Sequence, residues 1–323
     1  MNPYTRTPIK GSIILVTGGA GFIGSHLVDR LLEEEAKQVI VVDNFFLGSE
    51  ENLQSAIAKG IILYKDDMEI ASSVEYIFER HKIDIVFNCA TKALNYSFVN
   101  PKNSFDVNST IMLNLLEAQR KGLFKTLVHF STSEVYGSAV YEPMDEQHPI
   151  NPTTTYAAGK AAADIALKSW VSMFGVDSFI VRPFNNYGPR QNYKGYLAGV
   201  IPITIYRILK GLQPEIYGTG LQSRDFIYVE DTIDAIIKVY PLMCKGESVN
   251  ISTEGQISIR EVIHKIVEFM DYQGNILEKP ARNSDVECHN ASNAKIKSLI
   301  DYQLTPFDEG LKKSIQWYRG AIQ

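Results

Sequence analysis

The stretch Ile13-Ile14-Leu15-Val16-Thr17-Gly18-Gly19-Ala20-Gly21-Phe22-Ile23-Gly24 joins a short apolar run to three spaced glycines. The apolar run predicts a buried strand, and the amphipathic segment from His26 to Glu34 predicts the helix that follows. Glycines at 18, 21 and 24 allow a tight turn, a close approach of the backbone to a diphosphate and packing of helix on strand. The N-terminus of that helix favours the negative charge of a phosphate group. The stretch therefore predicts a strand, a phosphate-binding turn and a helix.

A second apolar run, Val39-Ile40-Val41-Val42, ends at Asp43, nineteen residues beyond Gly24. A carboxylate at this position accepts hydrogen bonds from the hydroxyls of an adenosine ribose and repels a 2′-phosphate. We therefore predict a dinucleotide-binding site that prefers NAD to NADP.

Apolar runs and helical patterns go on alternating as far as Asn185. Further strands are predicted at 61–64, 85–90, 126–130 and 179–181, and helices at 104–120 and 156–174. Strands that alternate with helices of this length predict a parallel sheet with helices on both faces. We therefore predict an α/β fold built on a Rossmann-type doubly wound parallel sheet.

The sequence changes character after Asn185, where shorter elements predict a smaller mixed α/β substrate-binding domain. A helix from Ala198 to Leu209 is predicted to hold Pro202 in its first turn, and Asp231 is predicted to be the N-cap of the next helix. Two more helices are predicted at 259–270 and 307–318. The predicted division gives 1–184 and 226–247 to the NAD-binding domain, and 185–225 and 248–323 to the substrate-binding domain.

Composition excludes several classes of function. The net charge of −5 gives no basic surface for nucleic acid or an anionic membrane. Three scattered cysteines, Cys89, Cys244 and Cys288, indicate a reducing compartment, and no apolar leader or membrane-spanning run is visible. We expect a cytoplasmic protein. The histidines and cysteines make no cluster with metal-ligand spacing, so no metal site is predicted.

Two groups of polar residues predict a proton-transfer site. Thr132, Ser133 and Glu134 follow the predicted strand that ends at the carboxyl edge of the sheet, where ligands bind in α/β folds. Tyr156 and Lys160 are four residues apart in a helical segment, so their side chains share one face. An ammonium beside a phenol favours the phenolate, which can act as a base near neutral pH.

A set of motifs spread over nearly the whole chain resembles the extended short-chain dehydrogenase/reductases that modify nucleotide sugars, the NAD-dependent epimerase/dehydratase family. The motifs are Thr17 to Gly24, Asp43, Asp67-Met68, Asn88 to Ala90, Asn108, Ser131 to Gly137, Tyr156 to Lys160, Arg182 to Arg190 and Ser223 to Tyr228.

The resemblance implies a bound NAD and a common first step. Tyr156 would take the proton of the sugar 4-hydroxyl as hydride leaves C4. Lys160 would hold the nicotinamide ribose and lower the pKa of Tyr156, and Thr132 would bind the same hydroxyl. The cofactor contacts implied are Gly18, Gly21, Phe22, Ile23, Gly24, Asp43, Asn44, Asp67, Met68, Cys89, Ala90, Asn108, Ser131, Tyr156, Lys160 and Pro183.

The expected substrate is a UDP-sugar. The segment from Arg190 to Pro202 resembles UDP-N-acetylhexosamine 4-epimerases, and the guanidinium of Arg224 has a shape suited to phosphate. Lys92 has three interpretations: it binds a substrate carboxylate, it acts as an acid at C6, or it is a solvated surface lysine. The residues predicted to bind substrate are Lys92, Asn185, Arg190, Arg224 and Arg282.

Ser133 and Glu134 distinguish the reactions of the family. The sugar 4,6-dehydratases that this motif resembles use Thr-Asp-Glu, whereas this chain has Thr132-Ser133-Glu134, keeping the base for C5 without the usual acid. We expect a dehydratase acting across C5 and C6 of a UDP-hexose such as UDP-GlcNAc. The alternatives are a UDP-sugar 4-epimerase, a UDP-glucuronate decarboxylase, which the motif from Ser131 to Gly137 also resembles, and an inactive NAD-binding regulatory protein.

The family resemblance also suggests a homodimer. The helices predicted at 104–120 and 156–174 would pair with their copies in a four-helix bundle, although a monomer could bury the same apolar faces.

Overall fold

The computed structural model describes residues 6–280 and 290–322. Their strands are β1 (Ile13–Thr17), β2 (Gln38–Asp43), β3 (Ile62–Lys65), β4 (Ile85–Asn88), β5 (Thr126–Phe130), β6 (Asp177–Pro183), β7 (Asn185–Tyr187), β8 (Glu215–Tyr217), β9 (Ser223–Arg224), β10 (Phe226–Tyr228), β11 (Ser248–Ile251), β12 (Ile257–Ser258) and β13 (Leu277–Lys279). The α-helices are α1 (Phe22–Glu33), α2 (Gln54–Ala58), α3 (Ala71–Arg80), α4 (Pro101–Arg120), α5 (Thr155–Phe174), α6 (Val200–Leu209), α7 (Val229–Val239), α8 (Ile259–Phe269), α9 (Ala294–Leu299) and α10 (Phe307–Ala321). Short 3₁₀ turns cover Glu50–Leu53, Leu94–Phe98 and Ser133–Tyr136.

The main sheet has the strand order β3-β2-β1-β4-β5-β6-β11, and each neighbouring pair is parallel. This confirms the predicted doubly wound α/β fold. Successive side chains of a strand point to opposite faces, so Leu15 packs in the core shared with α4 and α5, and Val16 in the core shared with α1 and α7. The strand order reverses between β1 and β4, and ligands of such sheets bind at that point.

Helix ends follow local signals in the sequence. At the start of α5 the Thr154 hydroxyl accepts a hydrogen bond from the Ala157 amide, and Gly175 ends the helix in a left-handed conformation. α1 begins at Phe22, four residues earlier than predicted, because the glycine turn supplies its first turn. Pro202 lies in the first turn of α6, as predicted.

Residues beyond β6 build smaller layers around a third core. β7 pairs with β10, β8 with β13, and β9 with β12, while α6, α8 and α10 bury Ile205, Val262 and Leu311 together. The predicted N-cap role of Asp231 was wrong. Tyr228 occupies the N-cap of α7, and Asp231 accepts hydrogen bonds from the amide and hydroxyl of Thr305, both at 2.7 Å.

The division into two domains stays a prediction. β11 (Ser248–Ile251) lies at the edge of the main sheet beside β6. We propose to count it with the NAD-binding domain instead of the substrate-binding domain. In the part of the chain that the structure describes, no helix is both long and apolar enough to cross a membrane.

Candidate active site

A cavity of about 1310 Å³ opens at the carboxyl ends of the main sheet and continues along the residues that follow β6. It brings together most of the residues predicted from the sequence. The predicted residues that line it are Gly18, Gly21, Phe22, Ile23, Gly24, Asp43, Asn44, Asp67, Met68, Cys89, Ala90, Lys92, Ser131, Thr132, Glu134, Tyr156, Pro183, Asn185 and Arg224.

The glycine turn lies at one end of this cavity. Gly18 has a φ of +67°, and an added Cβ there would stand 2.7 Å from the Cα of Ala90. A Cβ at Gly24 would stand 2.2 Å from the carbonyl oxygen of Gly18. Gly21 is the N-cap of α1 and carries no side chain that could satisfy the first amides of that helix. The turn is therefore shaped for an anion held by backbone amides, as the diphosphate of a dinucleotide would be.

Asp43 ends β2 beside the glycine turn. Its carboxylate accepts hydrogen bonds from the amides of Ala20 at 2.9 Å and Phe45 at 2.8 Å, which fix it in the cavity wall. Burial raises the pKa of Asp43, and these backbone hydrogen bonds oppose the rise. Next to it the side-chain nitrogen of Asn44 donates a hydrogen bond to the Asp67 carboxylate at 2.6 Å. The geometry of the turn and of Asp43 fits the adenosine diphosphate half of NAD.

Tyr156 enters the cavity from the first turn of α5. Burial and the charge of Glu134 raise its pKa and hydrogen bonds with Thr132 and Thr91 lower it, and together these effects leave the pKa raised to about 12. The hydroxyls of Thr132 and Thr91 therefore act in the direction that favours the phenolate. The expected effect of Lys160 on the pKa of Tyr156 stays a prediction.

Lys160 lies behind the cavity wall and not in it. Its side chain is 2% exposed, and its ammonium donates to the carbonyl oxygen of Phe130 at 2.8 Å. Burial lowers the pKa of Lys160 to about 8, against the effect of Asp164, which raises it.

Lys92 is in the cavity wall and is only 8% exposed, which excludes its interpretation as a solvated surface lysine. Its ammonium lies 3.9 Å from the ring centroid of Phe46 and 5.9 Å from that of Tyr96. Aromatic faces attract a cation without neutralising it. Lys92 therefore offers a positive charge on the side of the cavity formed by the residues after β2.

Several predicted residues lie away from the cavity lining. Ser133 is buried and does not line the cavity, so its proposed part in catalysis is not supported. Asn108 does not line it either. Its side-chain oxygen accepts hydrogen bonds from the Thr91 hydroxyl at 2.7 Å and from the Lys92 amide at 3.2 Å, so it shapes the loop after β4. Its predicted contact with the cofactor stays a prediction.

Arg190 was predicted to bind substrate, and this is not what the structure shows. Its guanidinium pairs with Asp29 of α1 at 2.7 Å, outside the cavity lining. Nearby, burial and the Arg190 charge lower the pKa of His26 to about 4. Arg282 lies outside the described residues.

Two residues of the site were not predicted from the sequence. Thr91 hydrogen bonds with Tyr156, and its position directly after the cavity-lining pair Cys89-Ala90 could have indicated it. Phe46 lies under the Lys92 ammonium, and only the fold brings these two together.

These features define an NAD-binding α/β protein whose cavity joins a cofactor end to a tyrosine, a threonine and a carboxylate. A model of the "NAD dependent epimerase/dehydratase family" matches residues 14–252. The chain belongs to this family, as the sequence motifs predicted, and its cofactor is NAD.

Relatives with different activities are almost equally similar to the chain. It is 34% identical to a putative UDP-glucose 4-epimerase of Methanocaldococcus jannaschii, over 95% of this chain and 98% of the relative. It is 31% identical to the dTDP-D-glucose 4,6-dehydratase of Bos taurus, over 95% of this chain and 88% of the relative. A UDP-glucose 4-epimerase of Thermotoga maritima, solved with UDP-glucose, aligns with a TM-score of 0.90 and 31% identity over 96% of this chain and all of that one. The likeness identifies nucleotide-sugar enzymes but leaves epimerase and dehydratase unresolved.

Proposed function

We propose that this protein is an NAD-dependent nucleotide-sugar dehydratase that removes water across C5 and C6 of a UDP-hexose such as UDP-GlcNAc. The observation that carries the proposal is Glu134. Its side chain lines the cavity together with Thr132 and Tyr156, and its charge acts on the Tyr156 phenol. Oxidation or inversion at C4 needs one base, and Tyr156 supplies it. A second base in the same cavity supports a step at a neighbouring carbon.

The chain's own residues divide the reaction between them. Bound NAD would supply the acceptor for the hydride that leaves C4. Tyr156 takes the proton of the 4-hydroxyl, and the hydroxyls of Thr132 and Thr91 lower the pKa of the phenol and so favour this transfer. The resulting ketone makes the C5 proton acidic, and Glu134 takes that proton.

The elimination also needs an acid that protonates the C6 hydroxyl as it leaves. Ser133 is buried and does not line the cavity, which argues against it as this acid. We assign this step to Glu134 as well. Once protonated by C5, its carboxyl group gives the proton to the C6 oxygen, which leaves as water as the C5–C6 double bond forms. One carboxyl group thereby balances both proton transfers at C5 and C6. Return of the hydride to C4 and of the Tyr156 proton to the C4 oxygen would then restore the 4-hydroxyl, so that the net change is the loss of one water.

Two residues support a diphosphate at the far end of the cavity. The side-chain amide nitrogen of Asn185 is buried in the cavity wall and has no hydrogen-bond partner among the described residues. A buried donor left without a partner is costly, so a ligand oxygen there would repay the cost of burial. Arg224 lines the same wall and supplies a guanidinium.

The products separate the candidate reactions. The protein is incubated with UDP-GlcNAc, UDP-glucose and UDP-glucuronate, and the products are followed by mass spectrometry and NMR. We expect a product lighter by one water. A product lighter by carbon dioxide would mean decarboxylation, and an unchanged mass with a changed sugar configuration would mean epimerisation; the similarity to the epimerases makes epimerisation the main alternative.

Variants test the role of Glu134 directly. Glu134→Gln should abolish loss of water while enzyme-bound NADH still forms, because oxidation at C4 precedes the step at C5. Ser133→Ala is the matched control from the neighbouring position and should keep full turnover. If Glu134→Gln dehydrates substrate at the wild-type rate, the proposed mechanism is wrong.

We also propose that the protein is a homodimer through α4 and α5. Phe105 and Leu113 on α4, and Ile165 and Met173 on α5, are exposed apolar residues spaced so that each pair shares one helix face. Light scattering should give a dimer for the wild type and a monomer for Ile165→Lys. Val140→Lys, at an exposed apolar residue outside these helices, is the control that should leave the dimer intact.

A further inference from the structure

The loop of residues 188–191 follows β7 and reaches the cavity wall at Gln191. Directly before Gln191, Arg190 has a φ of +66°. Glycine adopts such an angle freely, whereas a residue with a Cβ atom adopts it at an energetic cost. Arg190 is therefore strained at the position that decides where Gln191 points.

Contacts with α1 hold Arg190 in this conformation. Its Nη1 lies 2.7 Å from Oδ2 of Asp29, and the two side chains are only 21% and 22% exposed. About one turn earlier on α1, Nε2 of His26 donates to the carbonyl oxygen of Pro189 at 3.1 Å, since a carbonyl can only accept. Burial and the Arg190 charge lower the pKa of His26 to about 4, so this ring is neutral. Among the described residues, Asp29 is thus the ion-pair partner of Arg190.

The ion pair is a weak source of stability. Nη1 of Arg190 and Oδ1 of Asp29 are buried without a hydrogen-bond partner among the described residues, so the pair is held by charge and not by an aligned hydrogen bond. Charges buried in this way cost desolvation energy that their attraction repays only when the geometry is good. What the pair does provide is a fixed place for Arg190.

A second contact holds the loop from the opposite side. The hydroxyl of Tyr318, on α10, lies 3.1 Å from the carbonyl oxygen of Gly188 and 3.0 Å from that of Gln191. The loop is therefore held between α1, which begins at the glycine turn, and the layers beyond β6.

Gln191 passes the position of the loop on to the cavity wall. Its Nε2 donates to the carbonyl oxygen of Asn186 at 3.3 Å, and a Cβ added at Gly199 would stand 3.2 Å from the same nitrogen. Gly199 is the N-cap of α6, so Gln191 spans from β7 to the start of α6, and both line the cavity. Asn186 follows Asn185, whose unpartnered side-chain nitrogen is the donor proposed for the diphosphate. A displaced Gln191 would therefore disturb the wall that carries this donor.

We propose that Asp29 and Arg190 are positioning residues for the nucleotide sugar. Neither lines the cavity. Asp29 keeps Arg190 in the left-handed conformation, and this conformation turns Gln191 into the wall beside Asn186. The proposal rests on the proposed binding of a UDP-sugar and not on which reaction follows oxidation at C4.

The test compares the affinities for UDP and for NAD, both measured by calorimetry, with UDP titrated into the NAD-bound protein. Asp29→Asn should weaken UDP binding about tenfold or more, because it leaves Arg190 strained and its charge unpaired. Arg190→Ala should do the same, since alanine keeps the Cβ that disfavours this φ and lacks the ion pair. Both variants should keep NAD affinity within about twofold of the wild type, because the glycine turn is intact.

Glycine at position 190 separates this role from a general effect on the fold. Arg190→Gly reaches the same φ without strain, so its UDP affinity should stay within about threefold of the wild type. Adding Arg190→Gly to Asp29→Asn should restore most of the UDP affinity that Asp29→Asn loses. A pair that only stabilises the fold predicts the opposite order, because glycine loosens the unfolded chain more than alanine does.

Asp234→Asn is the matched control. Asp234 pairs at 3.2 Å with Arg30, the residue after Asp29 on α1, and so ties the same helix to α7 instead of to the loop. This variant should keep both affinities within about twofold of the wild type.

The proposal is overturned if Asp29→Asn binds UDP as the wild type does, if NAD affinity falls in step with UDP affinity, or if Arg190→Gly binds UDP no better than Arg190→Ala. Should Arg190→Ala fail to fold, the rescue of Asp29→Asn by Arg190→Gly decides the question. Variants that behave as expected in a protein that removes no water from UDP-hexoses would uphold the positioning role and refute the proposed reaction. A wild-type protein that does not bind UDP would refute both.

Discussion

Gly24→Ala tests whether the glycine turn is the cofactor site. The added Cβ would stand 2.2 Å from the Gly18 carbonyl oxygen and 2.9 Å from the Gly19 Cα, so the turn and the start of α1 must separate by about 1 Å to reach an ordinary contact. Gly18, at φ +67°, packs on the backbone of Ala90 and leaves the turn little room to move. Overpacking of this kind costs about 1–3 kcal/mol.

The same displacement moves the amides that should bind the diphosphate. Hydrogen bonds weaken steeply with distance and angle, so we expect NAD affinity to fall at least about tenfold, equivalent to about 1.4 kcal/mol. NAD binding is measured by calorimetry and stability by urea unfolding monitored by circular dichroism. Gly320→Ala is the control, since nothing lies within 4 Å of its added Cβ in α10, and it should keep both properties within about 1 kcal/mol. If Gly24→Ala binds NAD within twofold of wild type, the turn is not the diphosphate site.

Three further predictions concern single side chains of the cavity. Asp43→Ser removes the carboxylate that repels a 2′-phosphate, so the ratio of NAD to NADP affinity should fall about tenfold or more; an unchanged ratio would contradict the assignment. Lys92→Met keeps the stem over Phe46 but removes the charge, and calorimetry should show about tenfold weaker binding of NAD or of the nucleotide sugar, whichever anion it contacts; unchanged affinity for both would show that the charge serves neither. Thr132→Val removes a hydrogen bond that lowers the pKa of Tyr156, so the pKa should rise and the pH profile of NADH formation in stopped flow should move upward by about one unit; a profile that stays in place or moves down would refute this role.

Local signals explain what could be predicted from the sequence. The strand and glycine turn at 13–24, and the carboxylate that ends the next strand, are encoded within a few residues each, and the structure places both in the cavity wall. The parallel sheet with helices on both faces followed from the alternation of strands and helices, whereas the strand order came only with the structure.

The sequence-based predictions failed where the role of a residue depends on the direction of its side chain or on a partner far away in the sequence. Ser133 and Glu134 are neighbours in one 3₁₀ turn, yet only Glu134 of the two lines the cavity. The sequence motif does not show which of the two side chains points into the cavity. Arg190 is paired with Asp29, which is far away in the chain, and the sequence around position 190 does not indicate that partner. Lys160 has the predicted spacing from Tyr156, but its burial and its contact with Phe130 depend on the packing of α5 on the sheet.

The path of the chain limits how this enzyme can be taken apart. After β6 the chain leaves the main sheet, and it comes back for β11 at the sheet edge before departing again to β12 and α8. A single cut therefore cannot separate the sheet from the layers that complete the cavity, and transplanting those layers as one continuous block would remove an edge strand. Substrate preference in such a protein is therefore more easily changed, in evolution or by engineering, by altering the cavity-lining loops. Exchange of the whole set of layers beyond β6 would disturb the main sheet.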